Sequence, residues 1–181
     1  MRSGEERAAP AVIRDEALRL FADRGADAVT VRDVAAAAGV SPALVMHHFG
    51  TKAGLRRAVD DHVIGVIEGI LDAVPAGAGA ASLADVLVTR LPPGSPVPGY
   101  LRRLLMSGDP AGMRVFAQWF ELGRAASAGP ATALVVLGDL GRLLLRDHLA
   151  AVLGADPLGG AASRRWAEDA AAALGAPPAP A

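Results

Sequence analysis

The residues of this chain able to do chemistry gather in one stretch, VTVRDVAAAAGVSPALVMHHFGTKAGL, residues 29–55. It supplies the hydroxyls of Thr30, Ser41 and Thr51, the adjacent imidazoles of His47 and His48, the Lys52 ammonium and the Arg32 guanidinium. No nucleophile in the chain is paired with a base, and the acids scatter along solvated faces, so no enzyme is expected. Metal is not expected either. Neighbours on a helix point about 100° apart, so neither His47 with His48, nor Asp60-Asp61-His62, nor Asp147-His148 can close on one ion. Cysteine is absent, which removes thiolate zinc sites and disulfides. No other cofactor is implied. What this set of groups suits is binding phosphates and the edges of bases.

Elements must position them. Over residues 10–24, apolar Val12, Ile13, Ala17, Leu20 and Phe21 recur at three- and four-residue intervals, which predicts a helix with one buried stripe stopped by Gly25. Thr30 with Asp33 three residues on reads as a capping box before VRDVAAAA, which Gly39 ends. Ser41 caps again with Pro42 in the first turn, and Thr51 caps a long helix running to about Val74. Three capped helices joined by short turns have the pattern of a helix-turn-helix, whose second helix stands proud of the body.

On that second helix Val45 and Phe49 point inward with Val34 and Phe21, while Ala43, Leu44, Met46 and His47 share the opposite arc. An apolar, exposed and very short helix needs a cover, and a DNA major groove is one, since small apolar side chains approach closely and touch thymine methyls. Helix starts at Thr30 and Thr51, with Lys52 at the first helical position and Arg32 nearby, suit phosphates.

Length and composition set the frame. The 181 residues allow one domain or two small ones, and Ala, Leu, Arg and Gly dominate a chain that is 52% hydrophobic. That mixture predicts an all-α fold. The net charge of -1 gives no global pull toward nucleic acid, so anion binding must be local. The charged start lacks a secretory apolar core. The stretch ATALVVLGDLGRLLLRDHLAAVLG is interrupted by Asp139, Arg142, Arg146 and Asp147, short of the roughly 18 apolar residues a membrane span needs. A cytoplasmic location and no membrane partner are expected.

TVRDVAAAAGVSPALVMHHFGTKAGL resembles the DNA-binding region of TetR/AcrR-type transcriptional regulators, strongly over residues 10–60 and beyond that only in length and helical texture. The resemblance implies phosphate contacts from Thr30, His48 and Lys52, groove-facing positions for Ser41, Pro42, Ala43, Leu44 and His47, and packing by Val34, Val40, Val45 and Phe49. Met46 stands where the family has Tyr, and Pro42 where a polar or basic residue is common. Fewer donors shift weight to shape and methyl contacts. The DNA-binding set is thus Thr30, Arg32, Ser41, Pro42, Ala43, Leu44, Met46, His47, His48, Thr51 and Lys52.

The remaining chain has two expected tasks. Helix-turn-helix proteins generally pair so that two reading helices meet successive major grooves about 34 Å apart. Leu134, Leu137, Gly138, Gly141, Leu144 and Leu145, with Trp166, Ala170 and Ala173, are candidates for a homodimer surface, and the resemblance implies a four-helix bundle there. Tyr100, Met106, Met113, Phe116, Trp119 and Phe120 concentrate the bulky side chains and would line an apolar effector pocket, with His62, Arg102, Arg103 and Gln118 as polar anchors. The expected layout is a flexible arm at 1–9, a reading domain at 10–55, an effector and dimerisation domain at 56–175 and a disordered tail at 176–181. Further helices are predicted at 83–90, 100–106, 111–126, 131–153 and 163–174. The expected function is a DNA-binding transcriptional regulator, a repressor, released from or tuned on a double-stranded operator by a small apolar effector. The alternative, motivated by Met46 and Pro42, is a helical small-molecule carrier that has lost DNA reading.

Overall fold

The computed structural model describes residues 2–72, 86, 89–92, 94–126, 130–158 and 160–173. Among the described residues the regular structure is entirely helical: α1 (Arg2–Arg24), α2 (Val31–Ala37), α3 (Pro42–Phe49), α4 (Lys52–Asp72), α5 (Val97–Met106), α6 (Pro110–Ala126), α7 (Pro130–Leu144), α8 (Arg146–Leu153) and α9 (Gly160–Ala173). None of these is long and apolar enough to cross a membrane. The helix expected at 83–90 lies mostly outside the described residues, as does the tail at 176–181.

The chain forms two compact units, one of residues 1–66 with 94–107, the other of 67–93 with 108–181. A division after residue 55, as sequence texture suggests, would cut α4 near its start and leave α5 out of the first unit. In the first unit α1 packs on α2, α3 and α5, and α2 on α3. Its core is built from periodic stripes: Ile13, Ala17, Leu20 and Phe21 of α1, Val34 of α2, Val45 of α3, Leu55, Val59 and Val63 of α4, and Val97, Tyr100, Leu101 and Leu104 of α5. Val12, expected in the α1 stripe, is exposed. The start, expected as a loose arm, is helical from Arg2. Residue types with good helix propensity are frequent in this stretch of the sequence.

In the second unit α6 packs on α7 and α7 on α8. The helix expected over 131–153 is interrupted at Leu145 (φ −106°, ψ 19°). The break is one residue wide, since Leu145 N–H donates to Gly141 O and Leu149 N–H to Leu145 O, both at 2.9 Å. Arginines on either side reach the same loop. Buried Arg142 donates through Nε and Nη2 to Pro157 O (3.3 and 2.7 Å), and Arg146 grips both oxygens of Asp156 (3.0 and 2.6 Å). These two anchors bend the chain where hydrophobic periodicity alone would carry it straight on.

Candidate nucleic-acid interface

α3 is fixed at both ends. Ser41 adopts an extended cap conformation and its Oγ accepts from the Leu44 amide at 3.2 Å, with Pro42 in the first turn. Gly50 closes the helix at φ 70°, a conformation costly for residues with a Cβ, and its amide donates to Met46 O at 2.8 Å. Val45, 1% exposed, pins the helix to the core. Ser41, Pro42, Ala43 and His47 are exposed and Met46 is 42% exposed, so one arc of α3 meets solvent. Leu44 is half-buried and marks its edge, while Val40 and Phe49 are half-buried beneath it.

Thr30 and Asp33 complete a capping box. The Thr30 amide and hydroxyl both donate to Asp33 Oδ2 (2.8 and 2.7 Å), and the Asp33 amide donates to Thr30 Oγ1 (3.2 Å). Hydrogen bonds from the Thr30 hydroxyl and then its amide hold the Asp33 carboxyl below its ordinary range. The hydroxyl proton implied for a phosphate is therefore already given to Asp33. Thr51 Oγ1 accepts from the Gly54 amide at 2.9 Å and starts α4. A Cβ on Gly54 would lie 2.0 Å from Phe49 O, so only glycine lets α4 begin this close to the end of α3.

Lys52 is half-buried, and its Nζ donates to Asp27 O in the α1–α2 turn at 3.1 Å. That bond uses one of three ammonium protons and holds the cation against the α1–α2 turn, just past the end of α3. Arg32 is exposed on α2. His48 behaves differently from its neighbour. Its Nε2 is buried without a hydrogen-bond partner, and its ring lies edge-on between His47 (centroids 5.3 Å apart) and Phe49 (6.3 Å). That nitrogen does not face outward as a phosphate contact requires.

The residues expected to line an effector pocket are divided between the units. His62, Tyr100, Arg102 and Met106 belong to the first, and Met113, Phe116, Trp119 and Phe120 to the second. Tyr100 is core: it stacks on Phe21 (6.5 Å) and its hydroxyl donates to buried Asp60 at 2.6 Å. Burial, then that hydrogen bond, holds its phenol well above the ordinary range. His62 is half-buried, and burial first, then Arg14, lowers its imidazole. Arg102 is half-buried and Met106 exposed. Arg103, expected as a polar anchor, instead donates to Ala22 O and Asp23 O (2.8 and 2.7 Å), satisfying carbonyls at the end of α1. Together with Arg56, Tyr100 and the 25–27 turn it borders a cleft of about 150 Å³.

In the second unit Trp119 is fully buried with Nε1 unpartnered. Gln118 donates to Glu68 Oε1 at 2.7 Å while its own Oε1 is buried without a partner. Met113 and Phe116 are exposed and Phe120 half-buried, with the two phenyl rings stacked at 6.3 Å. Leu134 (61%), Leu137 (60%) and Leu145 are exposed along one face of α7 and its end, Leu144 is half-buried, and Gly141 meets nothing within 4 Å. Gly138 differs, because a Cβ there would lie 2.8 Å from the Trp166 ring. Its smallness therefore admits a side chain of the same chain, and Arg142 stacks on that ring at 5.4 Å. The side chains of Ala170 and Ala173 lie outside the described residues.

Asp27, Asp60 and Gly54 were not legible as site-forming residues. Asp27 acts through its carbonyl and Gly54 through an absent Cβ, neither of which a residue type advertises. Asp60 is paired with a residue 40 positions away.

With this geometry in place, likeness to known proteins is informative. The family "Bacterial regulatory proteins, tetR family" matches residues 13–59, from α1 into α4. The HTH-type transcriptional regulatory protein RaaS of Mycobacterium tuberculosis is 54% identical over 55 residues, 30% of this chain and 26% of that protein. The HTH-type transcriptional repressor Rv3405c of the same species is 46% identical over 63 residues, 35% of this chain and 33% of its own. The regulator BetI of Rhizobium meliloti is 44% identical over 68 residues, 38% and 32% of the respective chains. The matches span about a quarter to a third of the length of these relatives. A crystal structure of a TetR-family regulator from Streptomyces coelicolor A3 aligns over 93% of this chain and 96% of that one, at 24% identity and a TM-score of 0.45. Over residues 13–59 this chain is similar to the tetR family of bacterial regulatory proteins, and the likeness is carried by α1 to α4.

Proposed function

We propose that the protein is a dimeric DNA-binding transcriptional regulator, a repressor whose hold on its operator is tuned by a small apolar effector. The observation that carries this reading is the exposed arc of α3, apolar at Ala43 and Met46, held outward by buried Val45 and two caps. Relatives named as regulators and a repressor support it over the reading segment. The exposed leucines of α7 support pairing of two copies through that helix, with Trp166 beside it. The buried, unpartnered Trp119 Nε1 and Gln118 Oε1 support an effector in the second unit, because such groups ordinarily find a partner. Met113, Phe116 and Phe120 supply apolar surface on the same helix.

A mobility-shift series using DNA flanking the protein's own coding region tests the reading. Binding should weaken steeply with salt, and Lys52→Ala should reduce the log–log slope by about 0.9 per lost phosphate contact. A purely structural Lys52 would weaken binding at every salt concentration and leave the slope unaltered. Absence of any shift at low salt would favour a carrier that no longer reads DNA.

A further inference from the structure

The outward face of α3 has an unusual chemistry for a base-reading surface. Residues 43, 46 and 47 share one arc by three- and four-residue spacing, and all three are exposed. Ala43 presents a methyl and Met46, 42% exposed, a thioether; neither carries a conventional donor. Pro42 adds ring methylenes and has no amide hydrogen. The Ser41 Oγ caps the helix by accepting from the Leu44 amide and keeps its own hydroxyl proton to donate. Of residues 43, 46 and 47, His47 alone carries a side-chain N–H, and it is exposed. Leu44, half-buried at the edge, adds more apolar surface.

Major-groove base edges offer such a surface one apolar partner, the C5-methyl of thymine; everything else they present is a donor or an acceptor. Acceptors and donors of G·C pairs pressed against Ala43 and Met46 would lose water and gain nothing. We infer that the protein selects its operator chiefly through thymine methyls lying against Ala43 and Met46, with His47 as the principal hydrogen-bonding reader. The inference rests on the DNA-binding reading and specifies which base feature that site recognises.

Uracil isolates the effect, since it differs from thymine in DNA only by lacking the methyl. The full chain is used to select duplexes from a randomised pool, and each thymine of the selected site is then replaced singly by uracil. Affinity is followed by fluorescence anisotropy at fixed salt. At one or two positions per half-site the replacement should weaken binding about fourfold, the worth of one buried methyl-sized group. Met46→Ala, at an exposed helical position whose folding is checked by thermal melt, should erase that penalty at one of them. Uracil changing affinity less than about twofold at every position, or penalties left intact in both Met46→Ala and Ala43→Gly, would overturn the inference while leaving DNA binding standing. Failure to enrich any duplex would overturn the DNA-binding reading and this inference with it.

Discussion

The hydroxyl of Tyr100 donates to Asp60 across 2.6 Å, joining α5 to α4 inside the first unit, 40 residues apart in sequence. Asp60 is buried, with Arg56 Nε 4.0 Å from its other oxygen. The contact makes α5 part of the core of the first unit, with α1 to α4. Tyr100→Phe removes a donor from a buried carboxylate and should lower stability by about 1–3 kcal/mol, read by denaturant unfolding. The phenol titrates above its ordinary value of about 10, so the unfolded chain releases this proton first. The stabilisation is complete below that pH and is lost as pH rises through the higher folded value. The wild type should therefore lose stability relative to Tyr100→Phe in alkali; parallel curves above pH 10 would contradict this.

Gly54→Ala should destabilise the protein by about 1–3 kcal/mol, because the added Cβ meets the Phe49 carbonyl and backbone must move. Helix propensity alone predicts the opposite sign, since alanine favours a helix over glycine. Thermal unfolding of this single variant decides between them. An unchanged or higher midpoint would mean that α4 does not start this close to α3.

The Asp33 carboxyl is held low by two hydrogen bonds from Thr30, and its stabilising effect is present above the unfolded value near 3.9. It fades as pH falls through the lower folded value. Carboxyl NMR titration should find Asp33 below the ordinary range, returning toward it in Thr30→Ala. Asp33→Asn should remove the acid-dependent part of the loss in α2 protection. An ordinary titration of Asp33 in the wild type would show the capping box to be open in solution.

Leu137→Glu places a charge on the exposed leucine face of α7. Sedimentation should show wild-type dimers and variant monomers, with an unchanged helical spectrum, because a charge there destabilises only a desolvated interface. Dimers of undiminished affinity in the variant would move the pairing surface elsewhere.

Much of the fold was legible because its cues are local. Thr30, Ser41 and Thr51 are cap residues whose function spans three positions, and Gly25, Gly39 and Gly50 end helices where φ is positive. A stripe at three- and four-residue spacing gave the buried face of α1, apart from the exposed Val12. Long-range pairings stayed hidden. Periodicity cannot see that Arg142 and Arg146 will be drawn to the Asp156–Pro157 loop and break the helix at Leu145. Bulk and aromaticity made Tyr100 look like a pocket residue, whereas Asp60 and Phe21 claim it for the core. Gly138 read as space for another helix, and Trp166 occupies that space. The exposed arc of α3 was readable because the turn residues and Val45 set its rotation.

One comparison bears most directly on what α3 is for. Met46→Glu puts an acid at the centre of the exposed arc, away from the core, so stability should change by no more than about 0.5 kcal/mol. Anisotropy titration at low salt, against the duplex flanking the protein's own coding region, should give tight saturable binding for the wild type and a loss of at least about tenfold for the variant. Equal binding by the two folded proteins would contradict the assignment of this helix to DNA.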